Sequence, residues 1–519
     1  MRTSKTTWTI LALIALGTLV RSLHLFSTSF DAPFHLGGLF YEFSRQILQN
    51  QFVLPGTIPY YSPGGIPFAY PPLGFYIQAA ILGLTSAPPF LTVNLLPPLL
   101  AVLALPAFTW MVRAQTDDPR IRAAALFAFA LMPSAFINQI EGAGLADACG
   151  ALAVILYLGS LFRLDKDPRP LPAVWAGLFL GLCVLASPGS AYASALLSIL
   201  FFLKFLGRDL KRRSFRQTGW LLLAGLTGIL ISAPYWLTVI RVHGAGIFLN
   251  SFLGQHDPGL VLSQAKYMLT FKPADMITFV GDEGLYGFLF DWLIFAGLLW
   301  AVLNRQTFQV IIFFVFWLIP REGNWLVAIP AAWLAAYGIV YLLWPLLQKA
   351  FASRVNHRPP LAPGILAIVL IMLAVASAVY AVNDLKSQPD LQISAAVVET
   401  LRQERGSIPV EARVLVVGNI ALIEWAPHLL EREVLNCEFG LEWQPDELRQ
   451  ARLIYAALEA DDLSGAMAIV RGYSGDTRLW LVGEPERVAR LMAAAGPSVH
   501  VGIQAQTPDL VFAIVQAEP

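Results

Sequence analysis

The stretch Pro71-Pro-Leu-Gly-Phe-Tyr-Ile-Gln-Ala-Ala-Ile-Leu-Gly-Leu-Thr-Ser86 is apolar enough to enter a bilayer, yet it opens on a proline pair. It also falls short of the roughly 20 residues that a spanning helix requires. Whether it crosses sets the side on which every later loop lies. Cytoplasmic loops carry an excess of Lys and Arg, so the basic residues arbitrate. If 71–86 is interfacial or re-entrant, the cytoplasmic side holds 18 of them, against five outside: Arg45, Arg241, Lys266, Lys272 and Arg321. If it crosses, the counts become 6 inside and 17 outside. The first arrangement is therefore the expected one, with a cytoplasmic N-terminus.

Working outward, the chain reads as an α-helical polytopic membrane protein. Of its 519 residues, 56% are hydrophobic and 13% charged, where soluble domains carry about 45–50% and about 25%. About eleven spans are expected, at Trp8–Phe26, Phe90–Val112, Ile121–Asn138, Asp147–Phe162, Leu171–Ser187, Ser190–Leu206, Thr218–Ile240, Leu285–Leu303, Thr307–Ile319, Trp325–Leu347 and Leu361–Val382. Arg2 and Lys5 precede the first of these, which is too long for a signal-peptide core and reads as a retained helix. The transmembrane domain is thus 1–382. It includes a long first external loop at 27–89 and a second at 241–284. In the tail, 383–519, charges return and strand-like runs (Arg413–Val417, Arg478–Val482, Asp509–Val515) alternate with helical ones (Leu391–Arg405, Pro485–Ala495). That pattern indicates a small α/β domain, and the basic tally places it outside the cytoplasm.

Lys plus Arg equals Asp plus Glu at 35 each, and without a basic excess nothing favours nucleic acid as a partner. Cys149 and Cys183 lie in apolar segments and Cys437 stands alone in the tail, so no disulfide framework and no CxxC metal spacing is present.

Candidate chemistry gathers in the loops. Asp31 sits where the first helix leaves the bilayer, beside a loop rich in Pro and aromatic residues that includes Tyr61 and Tyr70. A carboxylate there suits a general base working on a substrate at the interface. It equally suits a cap for the helix that follows. His35, four residues on, shares a face with Asp31 if the segment is helical. Glu141 and Asp147 flank the turn between the third and fourth spans. Asp147 could cap the fourth, or join Asp31 in holding a divalent cation such as Mg or Mn through oxygen ligands. Arg321, in Ile-Pro-Arg-Glu-Gly-Asn-Trp between two apolar segments, has the planar fork that suits a phosphate, or it pairs with Glu322. Lys266 and Lys272 are further anion contacts. The run Glu424-Trp425-Ala-Pro-His428, with Glu438 and Glu442-Trp443, could line a sugar or pack the tail onto the membrane part.

Asp31 at the end of the first helix, the Asp-x-x-x-His start and the exit Gly-Gly-Ile-Pro-Phe-Ala-Tyr-Pro-Pro-Leu (64–73) resemble polytopic membrane glycosyltransferases of the GT-C class. The resemblance is to the protein-mannosyltransferase-like and aminoarabinose-transferase-like families, and to bacterial membrane proteins described as 6-pyruvoyl-tetrahydropterin-synthase-related. Pro320–Ala331 is similar to a late outer-edge segment of those enzymes. Residues 1–382 carry the likeness. It implies a sugar on polyprenyl phosphate as donor, used at the outer face of the cell inner membrane with inversion, and a glycan, lipid or protein as acceptor. It also implies Asp31 as base or acceptor-orienting group and Asp147 or Glu141 as the acid of the second external loop; His35, Tyr61 and Tyr70 of the first loop are the candidate substrate contacts. Two departures stand out: Ala32 follows Asp31 where many members have Asp-Glu, and no Arg precedes the second-loop acid. Two other classes fit the topology, a transporter and a non-catalytic scaffold with an external binding domain. The absence of paired broken helices near the midplane disfavours the transporter.

Overall fold

The computed structural model describes residues 2–85, 87–248, 284–317, 323–352, 361–386 and 388–517. Helix α1 (Arg2–Ser22) leads through a 3-10 turn into the first loop, which holds α2 (Gly38–Gln49), a short antiparallel ladder of β1 (Thr57–Ile58) with β2 (Ile66–Pro67), and α3 (Leu73–Thr85). The proline-led stretch 71–86 is thus a 13-residue helix, too short to span. Helices α4 (Pro89–Gln115), α5 (Pro119–Leu131), α6 (Leu145–Lys166), α7 (Pro170–Ala186), α8 (Pro188–Arg212) and α9 (Arg216–His243) follow. Further helices run Gly284–Leu303, Thr307–Trp317, Gly323–Tyr337 continuing to Ala352, and Leu361–Lys386. Among the described residues six helices are long and apolar enough to cross a membrane, with a seventh crossing if one bent pair counts as a single span. The chain is a multi-pass membrane protein.

The count falls short of the about eleven expected spans because several expected ones, such as Pro170–Ala186 and Thr307–Trp317, are shorter apolar helices, and because the bent pair is not one continuous helix. Ile121–Asn138 reads as one span, but the helix stops at Leu131 and the chain turns by 86° into short 3-10 turns. Pro133 has no N–H to continue the ladder. The carbonyls thus freed would be costly in an apolar interior. Two side chains answer them. Arg21 of α1, wholly buried, donates through Nη2 to the Phe129 carbonyl at 2.7 Å and through Nη1 to that of Ala101, and its guanidinium lies 4.8 Å from the Phe129 ring. Ser377 donates to the Leu131 carbonyl.

In the tail, five strands form a mixed sheet of order β4-β3-β5-β7-β6, from β3 (Arg413–Val417), β4 (Glu433–Val434), β5 (Arg478–Gly483), β6 (Val499–Gln506) and β7 (Val511–Ala517). β3 runs parallel to β4 and β5, while β7 is antiparallel to β5 and β6. Side chains alternate across the strands, and the two faces bury into different cores. Leu415, Val417, Leu479 and Leu481 pack with the tail's own helices (Pro445–Glu459, Leu463–Ser474, Pro485–Ala494). Val414, Val416, Val482 and Phe512 share a core with Phe43, Tyr61, Phe68 and Phe75 of the first loop. The tail is therefore built onto the first loop, and the Val434 N–H even donates to the Tyr60 carbonyl at 3.0 Å.

Candidate active site

The segment that carries Asp31 and His35 is not helical: residues 30–36 run through bends between the 3-10 turn and α2. Pro33 breaks any ladder here and biases Ala32 away from helical angles. His35 and Asp31 consequently do not share a helical face. The Asp31 side chain is exposed, meeting the Ser29 hydroxyl at 3.3 Å, while its N–H donates to Ser29 Oγ. The bend is pinned from α4 by Asn94, only 2% exposed, which accepts from the Phe34 N–H at 2.9 Å and donates to the carbonyls of Ala32 (3.0 Å) and Ser29 (3.3 Å). One amide side chain in an apolar helix thus fixes the loop that carries Asp31.

His35 is buried, with its Nδ1 2.9 Å from Glu141 Oε2, and its ring stacks on Phe34. The first and second loops meet at this pair. Gly37 and Gly142 permit the approach: a Cβ on Gly142 would lie 2.4 Å from the Leu36 carbonyl, and Gly37 has φ +137°. Asp147 lies in the first turn of α6, where its charge suits the helix N-terminus; the N-cap position itself belongs to Gly144, correcting the expectation that Asp147 caps the helix.

Asp31 does not cap α2 either. That role falls to Glu424, 385 to 387 residues away on the helix Ile420–Leu430. Its carboxylate accepts the N–H groups of Gly37 (2.8 and 3.1 Å), Gly38 (3.0 Å) and Leu39 (3.2 Å), the orphan donors at the start of a helix. Burial pushes the Glu424 carboxyl up to about 7, against the downward pull of those N–H groups. Beside it, the Trp425 indole donates to the His35 carbonyl at 3.1 Å. One turn on, His428 Nδ1 lies 2.6 Å from the buried Glu42 carboxylate, which also meets Arg45 (3.0 Å); Arg45 reaches Glu431 (2.5 Å), and Glu431 pairs with Arg405. Burial raises the Glu42 carboxyl, but the hydrogen bond and charge of His428 and the charge of Arg45 outweigh it and hold it below its ordinary value. The Glu424–His428 run is the seam that joins tail to loop.

Tyr61 is fully buried, its hydroxyl donating to the Glu424 carbonyl at 3.2 Å, so it supports this seam and presents no surface to a substrate. Tyr70 does border open space: a cavity of about 190 Å³ is lined by Phe40, Phe43, Tyr70, Glu424, Glu442 and Trp443, among others. Arg321, Lys266 and Lys272 lie outside the described residues. Among the described residues no group of three or more His, Cys, Asp or Glu side chains is placed to hold a metal ion. All three cysteines are free and buried. Sequence reasoning missed Asn94 and Arg21; both are polar side chains in otherwise apolar spans, a recognised signal of a specific role.

No protein-family model matches the chain, and no curated protein matches it in sequence. Solved structures do. The archaeal oligosaccharyltransferase AglB from Archaeoglobus fulgidus, in complex with an inhibitory peptide and a dolichol-phosphate, superposes with a TM-score of 0.61 at 14% identity, over 98% of this chain and 74% of its own. ArnT from Cupriavidus metallidurans in the apo state gives 0.59 at 16% identity, over 98% of both chains. The arabinofuranosyltransferase AftD from Mycobacteria gives 0.52 at 14% identity, over 98% of this chain and 41% of its own. The fold is that of the GT-C membrane glycosyltransferases. The likeness to ArnT extends over the tail as well as the bundle, so the GT-C fold here includes the α/β unit seated on the first loop.

Proposed function

We propose that this GT-C-fold chain is a glycosyltransferase that moves a sugar from a polyprenyl-phosphate-linked donor to an acceptor hydroxyl at the outer face of the membrane. The observation that carries the reading is the exposed carboxylate of Asp31, the first acid after α1, held in a pinned bend within a fold that matches membrane glycosyltransferases over 98% of the chain. ArnT has also been solved bound to undecaprenyl phosphate, which supports a lipid phosphate as the leaving group.

In the proposed reaction the acceptor oxygen attacks the anomeric carbon and its proton passes to Asp31. The bond from that carbon to the phosphate oxygen breaks, and polyprenyl phosphate leaves with the electron pair. A single displacement inverts the centre and needs no covalent enzyme intermediate, so one base suffices. Cations at the departing phosphate stabilise its charge; Arg321, Lys266 and Lys272 are proposed for this on sequence grounds. His35 and Glu141 shape the floor between the first two loops, and Tyr70 contributes the aromatic wall of the neighbouring cavity.

The test uses the purified full chain in proteoliposomes with a panel of radiolabelled undecaprenyl-phosphate sugars. Wild type is expected to release undecaprenyl phosphate in step with glycosylated product. Asp31→Asn is expected to lose at least about 10²-fold in rate, the low end of what a positioned acid or base contributes, while remaining folded. Full activity of Asp31→Asn would remove Asp31 from the mechanism, and no turnover by wild type with any lipid-linked sugar would remove the reading itself.

A further inference from the structure

The far end of the bundle, away from the first loop, carries a second site of a different kind. Helices α4 and α6 both run from the first-loop end to this one, and their last turns present Arg113, Arg163 and Lys166. These three, together with Arg122, Asp117 and Asp167, line an open cleft of about 620 Å³ that also includes Thr109 and Trp110. A second cleft of about 540 Å³ adjoins it through Thr109 and Arg113 and reaches Ile10 and Leu11 of α1.

The two carboxylates on the cleft wall, and Asp165 beside it, each pair with a base other than Arg113, Arg163 and Lys166. Asp117 lies 3.6 Å from Arg122, Asp167 is 2.8 Å from Arg169, and Asp165 takes both Lys204 (2.8 Å) and Arg208 (2.6 Å). Among the described residues no ion pair engages Arg113, Arg163 or Lys166, and the Arg163 guanidinium is instead laid over the Trp110 ring at 4.3 Å. Helix C-termini favour cations, which accounts for the residue type but not for a concave space among three of them.

The apolar surface beneath supplies the second element. Leu99, Leu103, Pro106 and Trp110 recur at i, i+4, i+7 and i+11 on α4, one face of the helix, and Arg113 continues the line. Leu99 is 53% exposed and Leu103 45%, with Pro106 exposed as well. A cleft bearing three cations that no carboxylate pairs, continued along α4 by an exposed apolar face, has the polarity of an anionic amphiphile. Basic pockets between transmembrane helices are where lipid head groups bind.

We infer that this cleft binds an anionic phospholipid, its head-group phosphate among Arg113, Arg163 and Lys166 and an acyl chain along the Leu99–Trp110 face of α4. The three cations supply charge that a zwitterionic lipid does not repay, so the site discriminates by head group.

Native mass spectrometry of the detergent-purified full chain tests this with phosphatidylglycerol and phosphatidylethanolamine at equal concentration. Wild type is expected to retain phosphatidylglycerol over phosphatidylethanolamine by roughly tenfold or more, and the Arg113→Gln, Arg163→Gln, Lys166→Gln triple variant to lose that preference. If the triple variant fails to fold, Lys166→Gln alone, at an exposed position, is expected to reduce the preference by about twofold or more. Millimolar inorganic phosphate is expected to leave the lipid bound, since it has no contact to offer the apolar stripe. Equal preference in wild type and variant, or displacement of the lipid by inorganic phosphate, would overturn the assignment.

Discussion

The two ends of the bundle handle charge in opposite ways. At the first-loop end the acids and bases are consumed by structure: His35 by Glu141, Glu42 by His428 and Arg45, Arg45 by Glu431, and the α2 N-terminus by Glu424. Asp31, by contrast, is exposed. At the far end Arg113, Arg163 and Lys166 line an open cleft, and the carboxylates on its wall, Asp117 and Asp167, pair with other bases, Arg122 and Arg169. The difference teaches where to look for ligands in such a chain. A paired charge has a folding task, and a charge that the fold positions but leaves unmatched is available to something outside the protein.

The sharpest way to break the comparison is to attack the paired end. Trp425→Ala removes a wholly buried indole and its bond to the His35 carbonyl, and is expected to cost about 3–5 kcal/mol. The readout is limited proteolysis, in which the tail should be released from the first loop. Glu42→Ala leaves His428 and Arg45 facing a buried gap and is expected to cost a similar ~3–5 kcal/mol, measured as a loss in thermal stability. Asn94→Ala should be milder, about 1–3 kcal/mol for the amide and carbonyl it orphans. It should also lower kcat more than it raises KM, because it loosens the bend that holds Asp31.

Glu424 gives the comparison a pH axis. Its carboxyl is raised from an ordinary 4.5 to about 7 in the docked state, so docking binds a proton. The stability from that proton is fully present below about 4.5 and is lost as pH rises through about 7. Glu42 acts in the opposite sense: its lowered carboxyl contributes stability above the ordinary carboxylate range, lost as pH falls through its depressed value. Together they make docking firmest in mildly acidic solution. Glu424→Gln should flatten the alkaline side of that profile between about pH 5 and 8, read as the midpoint of thermal unfolding across pH. The smallest effect belongs to a solvent-facing pair at the far end: breaking Arg120–Asp118, where Arg120 is 65% exposed, should cost no more than about 0.5 kcal/mol.

Much of the architecture is legible in the sequence because it depends on short-range signals. Apolar length marks the helices, the proline pair at 71–72 and the basic tally mark 71–86 as non-crossing, and alternation marks β3, β5 and β7. β6 escapes notice because its run Val-His-Val-Gly-Ile-Gln-Ala-Gln is half exposed and bulged at Ile503/Ala505. The site is legible only in parts. Asp31, Glu141 and the Glu424–His428 run are visible as unusual residues. Their partners are not, because Asn94 reaches back about sixty residues and Glu424 nearly four hundred. Spacing suggested a helical face joining Asp31 to His35; Pro33 forbids it, and His35 turns to Glu141 instead.

All of this depends on the Asp31 bend facing away from the cytoplasm, where a lipid-linked sugar would be presented. Phe30 is 38% exposed and adjoins Asp31, and the native cysteines are all buried, so Phe30→Cys places one accessible thiol beside the proposed base. A membrane-impermeant maleimide applied to intact cells with a permeable outer envelope is expected to label that thiol. Labelling that occurs only when the cytoplasmic face is opened would contradict the account.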